Sequence, residues 1–166
     1  FYRASMNKSE IIKNYLLDSP QTSSFIKIIN DVLALDQSQF HFTASGFVLK
    51  GNSILLIKHR YLKIWIQPGG HIDYGERPYD AAQREVLEET GWVTKYLGSD
   101  VPFDIDVHRI PDNPIKSEKA HWHIDCGYLL QPVGCVDASD PEEAKWFDFK
   151  QVENSRLQRV IQKLNR

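Results

Sequence analysis

The stretch Gly70 to Trp92, GHIDYGERPYDAAQREVLEETGW, constrains this chain more than any other part of it. From Pro78 to Thr90 it holds no helix breaker, and Gly91 stands just past the end, where a helix C-terminus favours glycine. Pro78 suits the first helical position, and Asp80 places a carboxylate in the first turn, where the helix dipole favours one. Arg77 is a poor N-cap where Ser, Thr or Asp would serve better. At 3.6 residues per turn, Tyr79, Ala82 and Val86 form an apolar stripe, and Glu85, Glu88 and Glu89 crowd the next face.

Like charges at i, i+3 and i+4 each cost a helix a few tenths of a kcal/mol. Three glutamates on a helix are most often a solvated face. Here the neighbouring residues argue otherwise. Gly69 and Gly70 follow Trp65 and Pro68 in a Trp-x-x-Pro-Gly-Gly turn, where missing side chains let main-chain oxygen approach an ion. Carboxylates, a backbone carbonyl and waters are the oxygen ligands that a hard divalent cation takes.

The same residues carry a family resemblance. Gly70, Glu76, Arg84, Glu85, Val86, Glu88, Glu89, Gly91 and Trp92 fill every fixed position of G-x5-E-x7-R-E-U-x-E-E-x-G-U, with U a bulky apolar residue. This resembles the signature of the Nudix hydrolases. The resemblance implies an α/β fold, a Nudix-like α/β/α sandwich with a mixed β-sheet, over residues 39–166. It implies hydrolysis of a nucleoside diphosphate linked to another moiety, with Mg²⁺ (or Mn²⁺) as cofactor and water attacking phosphorus. By position in the motif, Glu85, Glu88, Glu89 and the Gly69 carbonyl would hold metal. Glu76 and Arg84 would form an ion pair that pins loop to helix and orients the carboxylates. Candidates for the general base are Glu85, Glu88 and, from a later acidic loop, Glu142 and Glu143. The side motifs of the NADH, coenzyme A and ADP-ribose classes are absent, so the resemblance names a bond and not a substrate.

A net charge of −2 gives no electrostatic case for a nucleic-acid partner. No apolar run reaches the ~18 residues of a membrane span. Two cysteines, Cys126 and Cys135, do not make a disulfide framework, so the expectation is a reducing, cytoplasmic setting with buried free thiols. Residues 1–5 precede the only methionine, Met6, and read as a vector-derived remnant.

Residues 6–38 read as an N-terminal helical addition: apolar spacing predicts helices over 8–17 and 23–35, parted by Asp18-Ser-Pro20. They are expected to cover an edge of the domain, with a homodimer contact or a substrate lid as alternatives. Strands are expected over 40–49 and 53–57, joined at Gly51-Asn52, then over 93–97, 103–110, 120–130 and 145–149, with a last helix over 152–164. Lys58 and Arg60 approach the glutamate helix and are candidate phosphate contacts. On the strand 120–130, period two puts His121, His123 and Asp125 on one face, as candidate substrate contacts, and Cys126 on the other. His108 would join that cleft or cap a strand end. A separate zinc site is disfavoured, because no third histidine stands at a finger-like spacing. Two other readings compete: a nucleotide sensor on a silent Nudix scaffold, and an isoprenyl diphosphate isomerase. The sensor need not keep all three glutamates, and the isomerase lacks its cysteine context.

Overall fold

The computed structural model describes residues 8–166; the reading of residues 1–5 lies outside the described residues. Helices α1 (Lys8–Asp18) and α2 (Ser23–Leu33) lead into strand β1 (Phe40–Lys50). β1 turns back at Gly51 (φ 57°), as Gly-Asn predicts, into β2 (Ser53–Lys58). Two short strands follow, β3 (Trp65–Ile66) and β4 (Gly69–His71), before α3 (Pro78–Thr90). Then come β5 (Trp92–Tyr96), β6 (Asp104–Ile110), β7 (His121–Cys135), β8 (Ala144–Asp148) and α4 (Ser155–Leu164).

The spine is a parallel pair. β1 and β7 run together from Phe40↔Trp122 to Val48↔Leu130, and every other pairing is antiparallel, so the sheet is mixed. β4 flanks β1, while β6 and β5 share the other edge of β7. The end of β1 also pairs with β2, which carries β3 and β8.

Helices cover both faces. Ala81 and Ala82 of α3 pack with Phe42 and Ala44 of β1 and Ile124, Cys126 and Tyr128 of β7. Ile11, Ile12 and Tyr15 of α1, with Ile29 and Val32 of α2, belong to the same core, so the N-terminal helices bury their apolar faces against the domain. α3 lies very close to β1: a Cβ on Gly46 would sit 2.5 Å from Val86 Cγ2. On the opposite face, Leu157 and Val160 of α4 pack on Phe47, Ile54 and Leu56.

Several expectations move. Gly69–His71 is a short strand and not an open turn, because it pairs with Thr43, Ala44 and Ser45 of β1. β7 continues five residues beyond the expected Leu130, since β5 pairs with its second half. α4 begins at Ser155 because the Asn154 side chain caps Leu157 N–H. Cys126 is buried as expected, but Cys135 is exposed, lying past the covered part of β7. Among the described residues no helix is long and apolar enough to cross a membrane.

A charged cluster fastens α4 to the sheet. Asp104, fully buried, accepts from Arg156 Nε (3.0 Å), Arg159 Nη2 (2.8 Å) and Lys163 Nζ (2.9 Å). Arg156 also donates to Asp125 (2.6 Å). Burial pushes the Asp104 carboxyl up, but the Arg159 hydrogen bond and the nearby cations outweigh it and hold it below 3.8. The same balance, with His108 as hydrogen-bond donor, holds Asp106 at about 2. Both folded values are depressed, so their stabilisation is present above the unfolded value of 3.8 and lost as pH falls through the folded values, which for Asp106 means down to about 2. Asp104→Asn leaves cations facing a neutral amide and is expected to cost about 3–5 kcal/mol at neutral pH. Denaturant titrations should show the gap between variant and wild type narrowing on acidification; an equal gap at pH 7 and pH 2 would place the loss in packing instead.

Candidate active site

The glutamates of α3 stand where the helix meets β4. Arg77 occupies the N-cap position without a side-chain cap bond and instead pairs with Asp80 at 2.8 Å. At the far end Gly91 takes φ 73°, and its N–H closes on Leu87 O. Val86 and the alanines bury one side of the helix, which leaves Arg84, Glu85, Glu88 and Glu89 along the β4 side.

Arg84 is the hub of the site. Its Nε and Nη2 grip both oxygens of Glu76 (2.9 and 3.0 Å). Nη1 donates to Glu85 Oε1 (2.8 Å) and Glu88 Oε2 (3.0 Å), and Nη2 to the His71 carbonyl (2.9 Å). The Glu76 hydrogen bond is the main influence that raises Arg84 far above its ordinary value. Glu76 in turn accepts from Asp73 N–H (3.0 Å), so the loop between β4 and α3 is fastened to the helix.

Glu85 and Glu89 point toward the glycines. A Cβ on Gly70 would lie 2.5 Å from Glu85 Oε1, so only glycine leaves that carboxylate in place. Gly69 N–H donates to Glu89 Oε2 (3.0 Å). Burial raises both carboxyls, and Glu89 reaches about 8 despite the Gly69 hydrogen bond, with Glu85 and Glu142 adding repulsion. Carboxylates that resist ionisation in this way are relieved by a cation. The donor set is all oxygen, so the residues fit Mg²⁺ or Mn²⁺.

The acidic loop closes the far side. Asp140 and Glu142 N–H donate to the carbonyls of Glu88 and Glu89 (both 2.9 Å). Arg60 ion-pairs with Asp140 (3.0 Å) and with Glu142, and Lys58 lies 3.6 Å from Glu143. The two basic candidates therefore hold the acidic loop against α3. Asp140 was not expected here; only its place in the run 137–143 pointed to it.

The strand candidates separate. Asp125 is nearly closed off from solvent and accepts from Thr43 (2.6 Å), Ser45 (2.7 Å) and Arg156. Its expected place on an open cleft is corrected: α4 covers that part of the strand. His121 and His123 do face the same way, but they join three further histidines, His41 of β1, His71 of β4 and His108 of β6. Burial, with the neighbouring histidines, pushes His123 down to about 3, and burial lowers His41. His41 and His71 were missed because the pairings that bring them in (His41↔His123, Thr43↔His71) are not written in local sequence.

A mixed sheet between helices, one of which turns ordered glutamates toward a glycine strand, defines an α/β hydrolase domain of the Nudix kind. The chain belongs to the NUDIX family: the model described as NUDIX domain matches residues 39–164. It is 43% identical over 89 residues to a Lactococcus lactis protein named "Probable DHNTP pyrophosphohydrolase", a match spanning 54% of this chain and only 52% of that protein. It is 45% identical over 124 residues to an RNA pyrophosphohydrolase of Bartonella bacilliformis, covering 66% of this chain and 69% of the relative. In fold it resembles a NUDIX-family hydrolase from Clostridium perfringens, with TM-score 0.61 and 22% identity over 79% of this chain and 98% of that one.

Gly70→Ala tests the geometry directly. The added methyl should displace Glu85 and weaken Mn²⁺ binding, measured calorimetrically, by about 10-fold or more while circular dichroism stays native. Unchanged affinity would remove Glu85 from the ligand set.

Proposed function

We propose that this chain hydrolyses a diphosphate bond in a nucleoside diphosphate linked to another moiety, using the α3 glutamates and a divalent cation. What carries the reading is the joint placement of Glu85, Glu88 and Glu89 by Arg84 and the β4 glycines. Matched relatives bear names of pyrophosphate-cleaving enzymes, which supports the bond type and leaves the substrate open.

Glu85, Glu88, Glu89 and the Gly69 carbonyl hold Mg²⁺ in this reading. When bound there, such an ion would supply charge neutralisation for the phosphate oxygens and a place for the attacking water, while Arg84 and Gly69 keep the carboxylates in position. Water adds to phosphorus, the bridging P–O bond breaks, and the second phosphate departs. The water's proton goes to a nearby carboxylate. Glu85 and Glu88 are the candidates on α3. Glu142 is the alternative from the loop, because its backbone is tied to Glu89, whereas Glu143 turns toward Lys58 and solvent. Glu76 touches no reacting atom: it fixes Arg84, and Arg84 fixes the array.

Chelation by EDTA is expected to abolish turnover and Mg²⁺ to restore it, assayed over nucleoside diphosphate sugars, dinucleotides and nucleoside triphosphates. Retained turnover in EDTA would overturn the proposal. Loss of Arg84 in Arg84→Ala frees three carboxylates to repel, and kcat should fall about 10- to 100-fold with KM changed little; a collapse in substrate affinity at constant kcat would make Arg84 a direct phosphate contact.

The Glu89 carboxyl, raised to about 8, makes Mg²⁺ binding proton-linked. Below that value a proton competes with the ion, so Mg²⁺ affinity should rise with pH up to about 8 and then level. Without metal the sign for stability is opposite. The folded state keeps a proton that the unfolded chain releases between 4.5 and about 8, so this group's contribution falls as pH rises through that window. Glu89→Gln should remove both trends, cut turnover on the order of 100-fold or more, and raise the metal-free Tm at pH 8. Near-wild-type turnover in this variant would exclude Glu89 as a ligand.

A further inference from the structure

Five of the six histidines meet at one end of the sheet, on strands far apart in sequence. His41, His123 and His108 stand side by side across β1, β7 and β6, because His41 and His108 are both register partners of His123. His121 sits two residues before His123 on the same face. Ring centroids are 4.4 Å apart for His41 and His121, and 5.0 Å for His121 and His123. His71 lies 5.2 Å and His108 5.5 Å from His123.

The nitrogens are arranged as well as gathered. Ligand atoms of His41, His121 and His123 all lie within 4.8 Å of one another, and the Nε2 atoms of His121 and His123 are 3.1 Å apart. Three imidazoles on one zinc, with Zn–N near 2.0–2.1 Å, stand roughly 3.4 Å from each other, so small χ rotations close the set. His121 Nδ1 donates to the Lys119 carbonyl (2.9 Å), which leaves its Nε2 with a lone pair facing the cluster. His108 Nδ1 donates to Asp106 (2.9 Å), which leaves its Nε2 in the same state. An acceptor on the outer nitrogen is the support that zinc-ligating histidines ordinarily have.

We propose that His41, His121 and His123 form a binding site for a borderline transition ion such as Zn²⁺, with His71, His108 or water in the fourth position. Nitrogen ligands select such an ion over Mg²⁺, so the site is chemically separate from the glutamates of α3. It is also spatially separate. Gly70 of β4 faces Glu85, while His71 pairs with Thr43, whose side chain points to the Asp125 face. An ion here would join β1 to β7 beside the strand that carries Gly69.

The test uses the full chain, stripped of metal and held in millimolar Mg²⁺ so that the glutamate site is saturated. Zn²⁺ is titrated against a chromophoric chelator, and Co²⁺ is added separately to read its visible bands. Wild type should bind one equivalent of Zn²⁺ and give the intense spectrum of four-coordinate Co²⁺. His121→Gln and His41→Gln should each weaken Zn²⁺ on the order of 100-fold, while Glu85→Gln and Glu89→Gln bind it as wild type does. His41 is exposed, so its replacement leaves the fold intact even where the more buried His121 does not. Zn²⁺ binding lost in the glutamate variants but kept in both histidine variants overturns the proposal, as does no binding in Mg²⁺. A substrate ranking changed by His121→Gln without any bound metal would assign the cluster to substrate contact instead.

Discussion

The arginine at position 84 is the interaction on which the site depends. Glu76, Glu85, Glu88 and Glu89 bring four carboxylates into a small volume, and the three on α3 repel one another along the helix. A single guanidinium offers five N–H donors in a rigid fork, and here they reach Glu76, Glu85, Glu88 and the His71 carbonyl together. A lysine could satisfy one or two of these and would leave the rest unpaired. Among the described residues Glu89 has no hydrogen bond from Arg84 and accepts instead from Gly69 N–H. That division leaves Glu89 as the carboxyl that most needs a cation.

A second charged hub does comparable work on the opposite face. Arg156 and Asp125 are buried side by side, and removal of either partner would strand the other's charge in the core. Thr43 and Ser45 supply the hydroxyls that complete Asp125. Ser45 also pairs in register with Gly69, so β1 links the α4 anchor on one face to the glycines that meet Glu85 and Glu89 beside it. α4 thus secures the sheet against which α3 presents its glutamates.

These two hubs differ in how far the sequence reveals them. The α3 site is nearly all local: Glu76 through Gly91 lie within one loop and one helix, so helical spacing alone places the glutamates on a common face. The same holds for the period-two face of His121, His123 and Asp125, which is real. What spacing cannot supply is the neighbour. Asp125 became a core anchor because α4, thirty-one residues later, lays Arg156 over it. His121 and His123 became part of a cluster because a parallel pairing, set by packing across eighty residues, puts His41 in register with His123. Arg60 and Lys58 met carboxylates of the 140–143 loop for the same reason. Register and tertiary charge partners depend on the assembled sheet, and no local pattern encodes them.

β4 shows what that assembly makes possible. It is three residues long, and its pleat turns successive positions to opposite faces. Gly70 gives its missing side chain to Glu85 on the α3 side, while His71 contributes its ring to the histidines on the α4 side. The His71 carbonyl, meanwhile, accepts from Arg84. Hard oxygen donors and softer nitrogen donors are therefore kept apart by the thickness of one strand, and that strand is hydrogen-bonded to the hub of the oxygen site. A shift of β4 along β1 by one residue would exchange the faces of Gly70 and His71, placing a ring against Glu85 and removing one from the cluster. The pairing of β4 with Thr43, Ala44 and Ser45 is thus a condition for both side-chain clusters at once.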